Sequence, residues 1–336
     1  MPVHLHLDPF SGVAGDMFLG ALIDLGAPLE ALSRSLAHLP LQKPYRITAE
    51  KVSRCGITAT DLKVHVGEPP HHPRHGHGHS HEHAHNHSHD HSHSHDHHHD
   101  HDHDHKHDHH HDHDHHHSHT HKPDQHSHAH SHEHTGYRDI MAMIDQLETA
   151  ERAKERARRV VTLLAQAEAH IHGTSVDQVH FHEVGAVDSI VDMLGAAVAL
   201  ELLGVETLSC GPLPISRGMV RCAHGLMPVP APAALHLLRG LPVVGVDRVG
   251  ELVTPTGAAL VAGLCEAFGP PPMMTVQAVG YGAGDRDDPQ VPNLLRVVLG
   301  QRLTPAQASS GSSASAADAQ QAPPTLAQAP ASAAFS

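Results

Sequence analysis

The stretch VHLHLDPFSGVAGDMFLGALIDLG, Val3 to Gly26, decides the fold class. Val3, Leu5 and Leu7 alternate with His4, His6 and Asp8, the period-two pattern of a half-buried strand. DPFSGVAGDM then supplies a Gly-rich turn, and Met17, Phe18, Ala21, Leu22 and Leu25 form one apolar stripe of a helix that Gly26 and Pro28 stop. Strand, glycine turn and helix in direct succession are the building unit of an α/β domain.

A second stretch repeats the pattern. In VHFHEVGAVDSIVDMLGAAVALELLG, Val179 to Gly204, residues 179–184 read as a strand and Gly185 turns the chain. Asp188 then opens a helix with Ile190, Val191, Leu194, Val198 and Leu202 on its apolar face and Gly204 as its stop. Between and around these blocks the pattern predicts a short helix at 29–39, strands at 45–52 and 61–66, and helices at 139–147 and 150–171, the last with Gly173 as C-cap. Residues 210–232, rich in Pro and Gly, read as loop and short strand, followed by a helix at 257–268 and a last strand at 294–299. The expected architecture is a mixed sheet with flanking helices.

Two segments cannot contribute to that core. Residues 71–134 are almost wholly His, Asp, Ser and Gly, and residues 303–336 are almost wholly Ala, Ser, Gln and Pro, so neither carries enough apolar surface to offset the entropy of ordering. Both are expected to be disordered, an insertion and a tail around a domain assembled from 1–70 and 135–302. A net charge of −15 and 2% aromatic residues argue against a nucleic-acid partner, which needs a basic face and stacking platforms. Four cysteines without CxxC spacing fit a reducing compartment. No signal peptide or membrane span is legible, so a cytoplasmic location without a membrane partner is expected.

Of 44 histidines, 34 lie in residues 71–134. Neutral imidazole is the commonest transition-metal ligand, and near pH 7 most unperturbed histidines are neutral. In residues 97–117 the triplets His97, His98, His99, then His109, His110, His111, then His115, His116, His117 are separated by His/Asp alternation. Such a tract offers many interchangeable ligand sets, and its aspartates offset the charge of bound divalent ions. It resembles a store more than an active site, and Ni, Zn, Cu and Co all suit its ligand type. A solvated linker is the bland alternative, although Gly and Ser build linkers more readily.

The folded blocks hold candidates of their own. In the first turn, Asp8, Ser11, Gly12, Gly15 and Asp16 stand where backbone N–H groups can cradle a phosphate, yet neither dinucleotide nor P-loop spacing is present, so an ordinary helix start remains open. In HFHEVGAVDSIVD, His180 and His182 would share a strand face, and Asp188 and Asp192 a helix face, with Glu183 between. Together they are the material of a divalent-metal site, while Asp188 alone reads equally as an N-cap. GELVTPTGAAL places Thr254, Thr256 and Gly257 at another helix start, CAHGLMPVPAP holds His224 in a Pro-braced loop, and VGYGAGDRD reads as a flexible loop with Asp285. Cys210 and Cys222 are soft ligands or small core residues.

Taken in order, LDPFSGVAGDMFLGALIDLG, the His-rich insertion, YRDI with ERAKERA, VHFHEVGAVDSIVD, CAHGLMPVPAPA, GELVTPTGAA and NLLRVVLG resemble the LarC family of nickel-insertion proteins over residues 3–300. The resemblance implies Ni²⁺ as the metal and pyridinium-3,5-bisthiocarboxylic acid mononucleotide as the acceptor. It also implies CTP with a divalent ion (Mg or Mn), and a lyase-class cyclometallase that makes the nickel-pincer cofactor of lactate racemase. Asp16, Glu183 and Asp188 are then the expected catalytic residues. Asp8, Ser11, Gly12, Gly15, Thr254, Thr256 and Gly257 bind the nucleotide, and His180, His182, Asp192 and the histidine triplets bind metal. Family members continue past the LRVVLG strand into a CTP-binding domain, so a separately made C-terminal polypeptide is an expected partner, and apo lactate racemase another. The alternative is a nickel store or metallochaperone without catalysis; a nucleotide-dependent phosphotransferase is a third possibility.

Overall fold

The computed structural model describes residues 2–41, 43–67, 135–181, 186–222, 224–286 and 288–303, all within one compact unit. The expectations for residues 71–134, for His182 and Glu183, and for the tail beyond Leu303 lie outside them. Among the described residues there are eleven strands: β1 Val3–Asp8, β2 Tyr45–Arg54, β3 Ile57–Val66, β4 Thr207–Cys210, β5 Leu213–Arg217, β6 Met219–Cys222, β7 Gly225–Pro228, β8 Val243–Val249, β9 Ala267–Phe268, β10 Met274–Ala283 and β11 Leu294–Arg302. The same residues hold seven α-helices: α1 Gly15–Asp24, α2 Leu29–Leu36, α3 Tyr137–Asp145, α4 Glu151–His172, α5 Val187–Leu202, α6 Pro232–Leu237 and α7 Pro255–Leu264.

The α/β class with a mixed sheet and flanking helices is as the sequence implies. Seven strands form the main sheet in the order β2-β3-β10-β11-β1-β4-β9. β1 lies antiparallel to β11 and parallel to β4, so strands from both sides of the histidine segment interleave. α1 lies on β3, β10 and β11, α5 lies beside α1, and α4 packs on α5 and α7. Every residue from Ile190 to Leu200 is buried. That explains why α5 shows no polar face: it is wrapped by protein on all sides.

Glycines on β10 set the closeness of α1. A Cβ on Gly282 would fall inside the Met17 carbonyl, and one on Gly280 would sit 2.6 Å from the Ala21 carbonyl oxygen. The alternating glycines of VGYGAG are therefore a strand surface cut for a helix, and the expected flexible loop is corrected to β10 as far as Ala283, with Gly284 and Asp285 beginning the connection to β11. Three further expectations change. β1 is covered on both faces, not half-buried, because Thr207 and Ser209 satisfy its imidazoles. His4 Nδ1 is 2.8 Å from Thr207 Oγ1, His4 Nε2 is 2.8 Å from Ser209 Oγ, and His6 Nδ1 is 2.8 Å from the same hydroxyl. The helix expected to reach residue 268 ends at Leu264, since Cys265 turns extended and Ala267–Phe268 pair with β4. The expected strand at 179–184 is reduced, among the described residues, to a single bridge between His180 and Gly136.

Candidate functional site

The first turn is held against the turn before α7. Gly12, at φ 114°, closes back with its N–H on the Pro9 carbonyl at 2.9 Å. Val13 N donates to the Leu252 carbonyl at 2.8 Å, Thr254 N donates to the Val13 carbonyl at 3.2 Å, and Val13 and Val253 form a parallel bridge. Side chains would keep these backbones apart: a Cβ on Gly12 would strike the Leu252 carbonyl, and one on Gly257 the Val13 carbonyl. As a result α1 and α7 start side by side. α5 starts there too, and the three N-termini open on one cleft of about 390 Å³ lined by Gly15, Asp16, Lys63, Asp188, Ser189, Asp192, Thr254, Thr256 and Asp285, among others. A second lobe of about 420 Å³ shares Ala14, Asp16, Thr254 and Asp285 and runs on to Met219, Glu251, Arg286 and Asn293.

The helix starts are unequally capped. Thr254 caps α7 through its hydroxyl, which accepts from Gly257 N at 3.1 Å. Ala14 and Ala186 cap α1 and α5 without any side-chain hydrogen bond, leaving first-turn N–H groups for water or a ligand. Asp188 is therefore not an N-cap but the second residue of α5, its Oδ1 accepting from Ser189 N at 2.8 Å.

Among the cleft carboxylates, Asp192 is the most confined. It is 8% exposed, and its Oδ1 is buried without a hydrogen-bond partner. Burial first, and then the charges of Asp16, Asp188 and Asp285, push its pKa well above the ordinary carboxylate range. Its Oδ2 lies 2.5 Å from where a Cβ on Gly15 would stand, so the glycine at the start of α1 makes room for it. Asp16 is pushed up to about 6, chiefly by burial, against a hydrogen bond from Met17 N (2.8 Å) that works the other way. Lys63 Nζ sits 3.0 Å from Asp61 Oδ1 and is also ion-paired to Asp285. Burial opposes its charge, yet its hydrogen bonds to Asp285 and Asp61 outweigh that and raise its pKa.

The residues singled out in the sequence fall in different places. Gly15, Asp16, Asp188, Asp192, Thr254 and Thr256 line the cleft. Gly12 and Gly257 build its wall. Asp8 is engaged by Arg296, whose Nε donates to Oδ2 at 3.0 Å, and Ser11 Oγ accepts from Arg248 at 2.7 Å; neither lines the cleft. His180 is exposed at its bridge and is not among the lining residues. Among the described residues no three His, Cys, Asp or Glu side chains stand as a ready-made metal group. Lys63 and Ser189 were not singled out: Lys63 is one polar position of an alternating strand, and only the pairing of β3 with β10 brings it to Asp285.

A family model described as nickel insertion protein matches residues 5–322. The putative nickel insertion protein of Geobacter sp. (strain M21) is 41% identical over 297 residues, covering 88% of this chain and 61% of the relative. That of Geotalea uraniireducens is 42% identical over 300 residues, 89% of this chain and 61% of the relative. The pyridinium-3,5-bisthiocarboxylic acid mononucleotide nickel insertion protein of Geobacillus kaustophilus is 42% identical over 301 residues, 88% of this chain and 59% of the relative. The chain thus spans about three-fifths of the length of these relatives. No solved structure gives a significant match.

Proposed function

The chain belongs to the nickel insertion protein family, and from that premise we propose that its three-helix cleft binds the phosphate end of pyridinium-3,5-bisthiocarboxylic acid mononucleotide while nickel is inserted into the ring. The observation that carries this reading is Asp192, a buried carboxylate with an unpartnered oxygen where three helix N-termini converge. A buried carboxylate without a partner is strongly disfavoured, and a divalent cation held by Asp192 and Asp188 would relieve it, with Asp16 beside them left unligated. The all-oxygen donor set suits a hard ion, Mg or Mn, better than nickel. Nickel itself fits imidazole, so we assign its immediate ligands to His180 and His182 and its supply to the histidine triplets.

Insertion at a ring carbon requires that carbon to lose a proton as the nickel–carbon bond forms. Asp16, with a pKa of about 6, is matched to accept it near neutral pH. Glu183 and Asp188 are the further candidates for this role. CTP consumption, a lyase-class reaction and delivery to apo lactate racemase follow the family resemblance, and a cytoplasmic setting follows the cysteine usage. Among the described residues no helix is long and apolar enough to cross a membrane.

The test is to incubate the full chain with the mononucleotide and Ni²⁺, with and without CTP plus Mg²⁺ or Mn²⁺, and with and without the C-terminal portion of a relative. Nickelated product is read by mass and visible absorption. Product is expected in the complete mixture, with Asp192→Asn and Asp16→Asn reducing its rate at least ~100-fold, the scale of losing a positioned acid–base group. Nickel binding without product in every mixture would overturn the enzyme reading in favour of a nickel store or metallochaperone.

A further inference from the structure

Away from the cleft, the C-terminal end of α4 gathers four of the histidines that lie outside the long tract. His172 Nε2 lies 3.3 Å from Glu168 Oε2, one turn earlier on the same helix, and the His172 and His224 rings are 4.9 Å apart. His170, on a different side of the helix, packs on His236 of α6 at 4.4 Å.

We propose that Glu168, His172 and His224 form a docking site for a divalent transition-metal ion at the end of α4, separate from the cleft. Three features support this. First, two ligands bonded to one ion at about 2.1 Å stand roughly 3.0–3.4 Å apart, and the Glu168–His172 separation already falls in that range. Second, His224 sits exposed at the turn of the β6–β7 hairpin, where a change of rotamer can bring its ring nitrogen round as third ligand. Among the described residues the three do not stand as a ready-made metal group, so His224 would close the set as the ion binds. Third, a 22-residue helix ends here, and its C-terminal carbonyls favour a cation.

The neighbouring His170–His236 pair stands slightly closer, 4.4 Å against 4.9 Å, but lacks this chemistry. Arg239 Nη2 is 3.0 Å from His236 Nε2, so that nitrogen faces a guanidinium and an arriving ion would meet its charge. The two pairs provide an internal control. The hairpin also gives the site a direction: Met219 and Val220 at its base line the second lobe of the cleft, and His224 is at its tip. At about 3.3 Å per strand residue, the docking site is roughly 15 Å from that lobe. An imidazole–carboxylate set suits nickel, where the cleft's carboxylates suit a harder ion. The inferred role is a way-station for the metal beside the cleft.

The experiment uses the full chain and Ni²⁺ alone, in excess over what the histidine tract absorbs, with Mg²⁺ as the control. Carbethoxylation of each histidine is followed by mass spectrometry. Ni²⁺ is expected to slow modification of His172 and His224 at least ~10-fold, to leave His170 and His236 unchanged, and to be without effect when replaced by Mg²⁺. Glu168→Gln should raise the Ni²⁺ concentration needed to protect His172 by ~10-fold or more, as loss of a ligand or its support does. If circular dichroism shows that variant unfolded, His224→Ala replaces it, with the same shift expected at His172. Equal slowing at all four histidines, slowing at none, or protection of His172 unmoved by the folded variant would overturn the proposal.

Discussion

Asp16→Asn should make the protein more stable while removing its proposed base, and the stabilisation should depend on pH in one direction only. The native carboxyl titrates at about 6 against an ordinary value of 3.8. Between those limits the folded chain holds a proton that the unfolded chain has released, so stability falls as pH rises through 3.8 to 6, and the full penalty persists above. At about 1.36 kcal/mol per pH unit this is roughly 3 kcal/mol. The carboxylate is partly open to the cleft, and water screening reduces the figure to about 2 kcal/mol. The amide keeps an oxygen to accept from Met17 N and carries no charge. Urea unfolding of wild type and variant at half-unit steps from pH 4 to 8 should show curves that coincide near pH 4 and separate by about 2 kcal/mol at pH 8, or roughly 4–8 °C in Tm. Millimolar Mg²⁺ or Mn²⁺ should narrow the gap, because a cation beside Asp16 offsets its charge in the wild type and has no such charge to offset in the variant. A variant less stable than wild type at pH 8, or an advantage that grows towards pH 4, would refute the account of Asp16 as a desolvated, charge-crowded carboxylate.

Three other outcomes follow from single contacts. Gly15→Ala places a methyl 2.5 Å from Asp192 Oδ2 and 2.8 Å from its Cβ, so it should destabilise by about 1–3 kcal/mol and abolish the divalent-ion effect, read by the same unfolding curves. His4, 1% exposed, has a pKa lowered to about 4, chiefly by burial. Its contribution is therefore present above pH 6.5 and lost as pH falls from 6.5 to 4, by roughly 3 kcal/mol at most, and His4→Gln should flatten that acid limb. Arg296→Ala breaks the pair with Asp8, which is 29% exposed at its side chain, and should lower stability by about 0.5–1 kcal/mol with no loss of mononucleotide binding measured by calorimetry.

How much of this was legible depended on whether a residue's role is local. β1, α1 and α5 are patterns of one segment, and their periodicities name them. The cleft is different, because it needs Val13 bonded to Leu252 and Thr254, some 240 residues along the chain. The sequence marks each helix start with small residues but carries no sign that three starts share one opening. Gly12, Gly15 and Gly257 looked like a phosphate cradle; their first physical task is close approach of backbone to backbone and backbone to carboxylate. The same glycines that read as turn formers are thus what assembles the cleft. Asp192 shows the limit from the other side. On a helical wheel it shares a face with Asp188 on a largely apolar helix, which marks it as a candidate ligand but not as a buried one. Only the packing of α1 across α5 converts it into a buried carboxyl with an unpartnered oxygen. Lys63 and Asp285 are drawn together by the parallel pairing of β3 and β10, a crossover that no local pattern encodes. Charge inside this fold is a property of where strands meet, and Asp16 and Asp192 acquire their raised pKa values from burial first and then from neighbouring carboxylates. Any cation that binds there therefore acts on all of them together, so mutating one should alter the pH response of its neighbours.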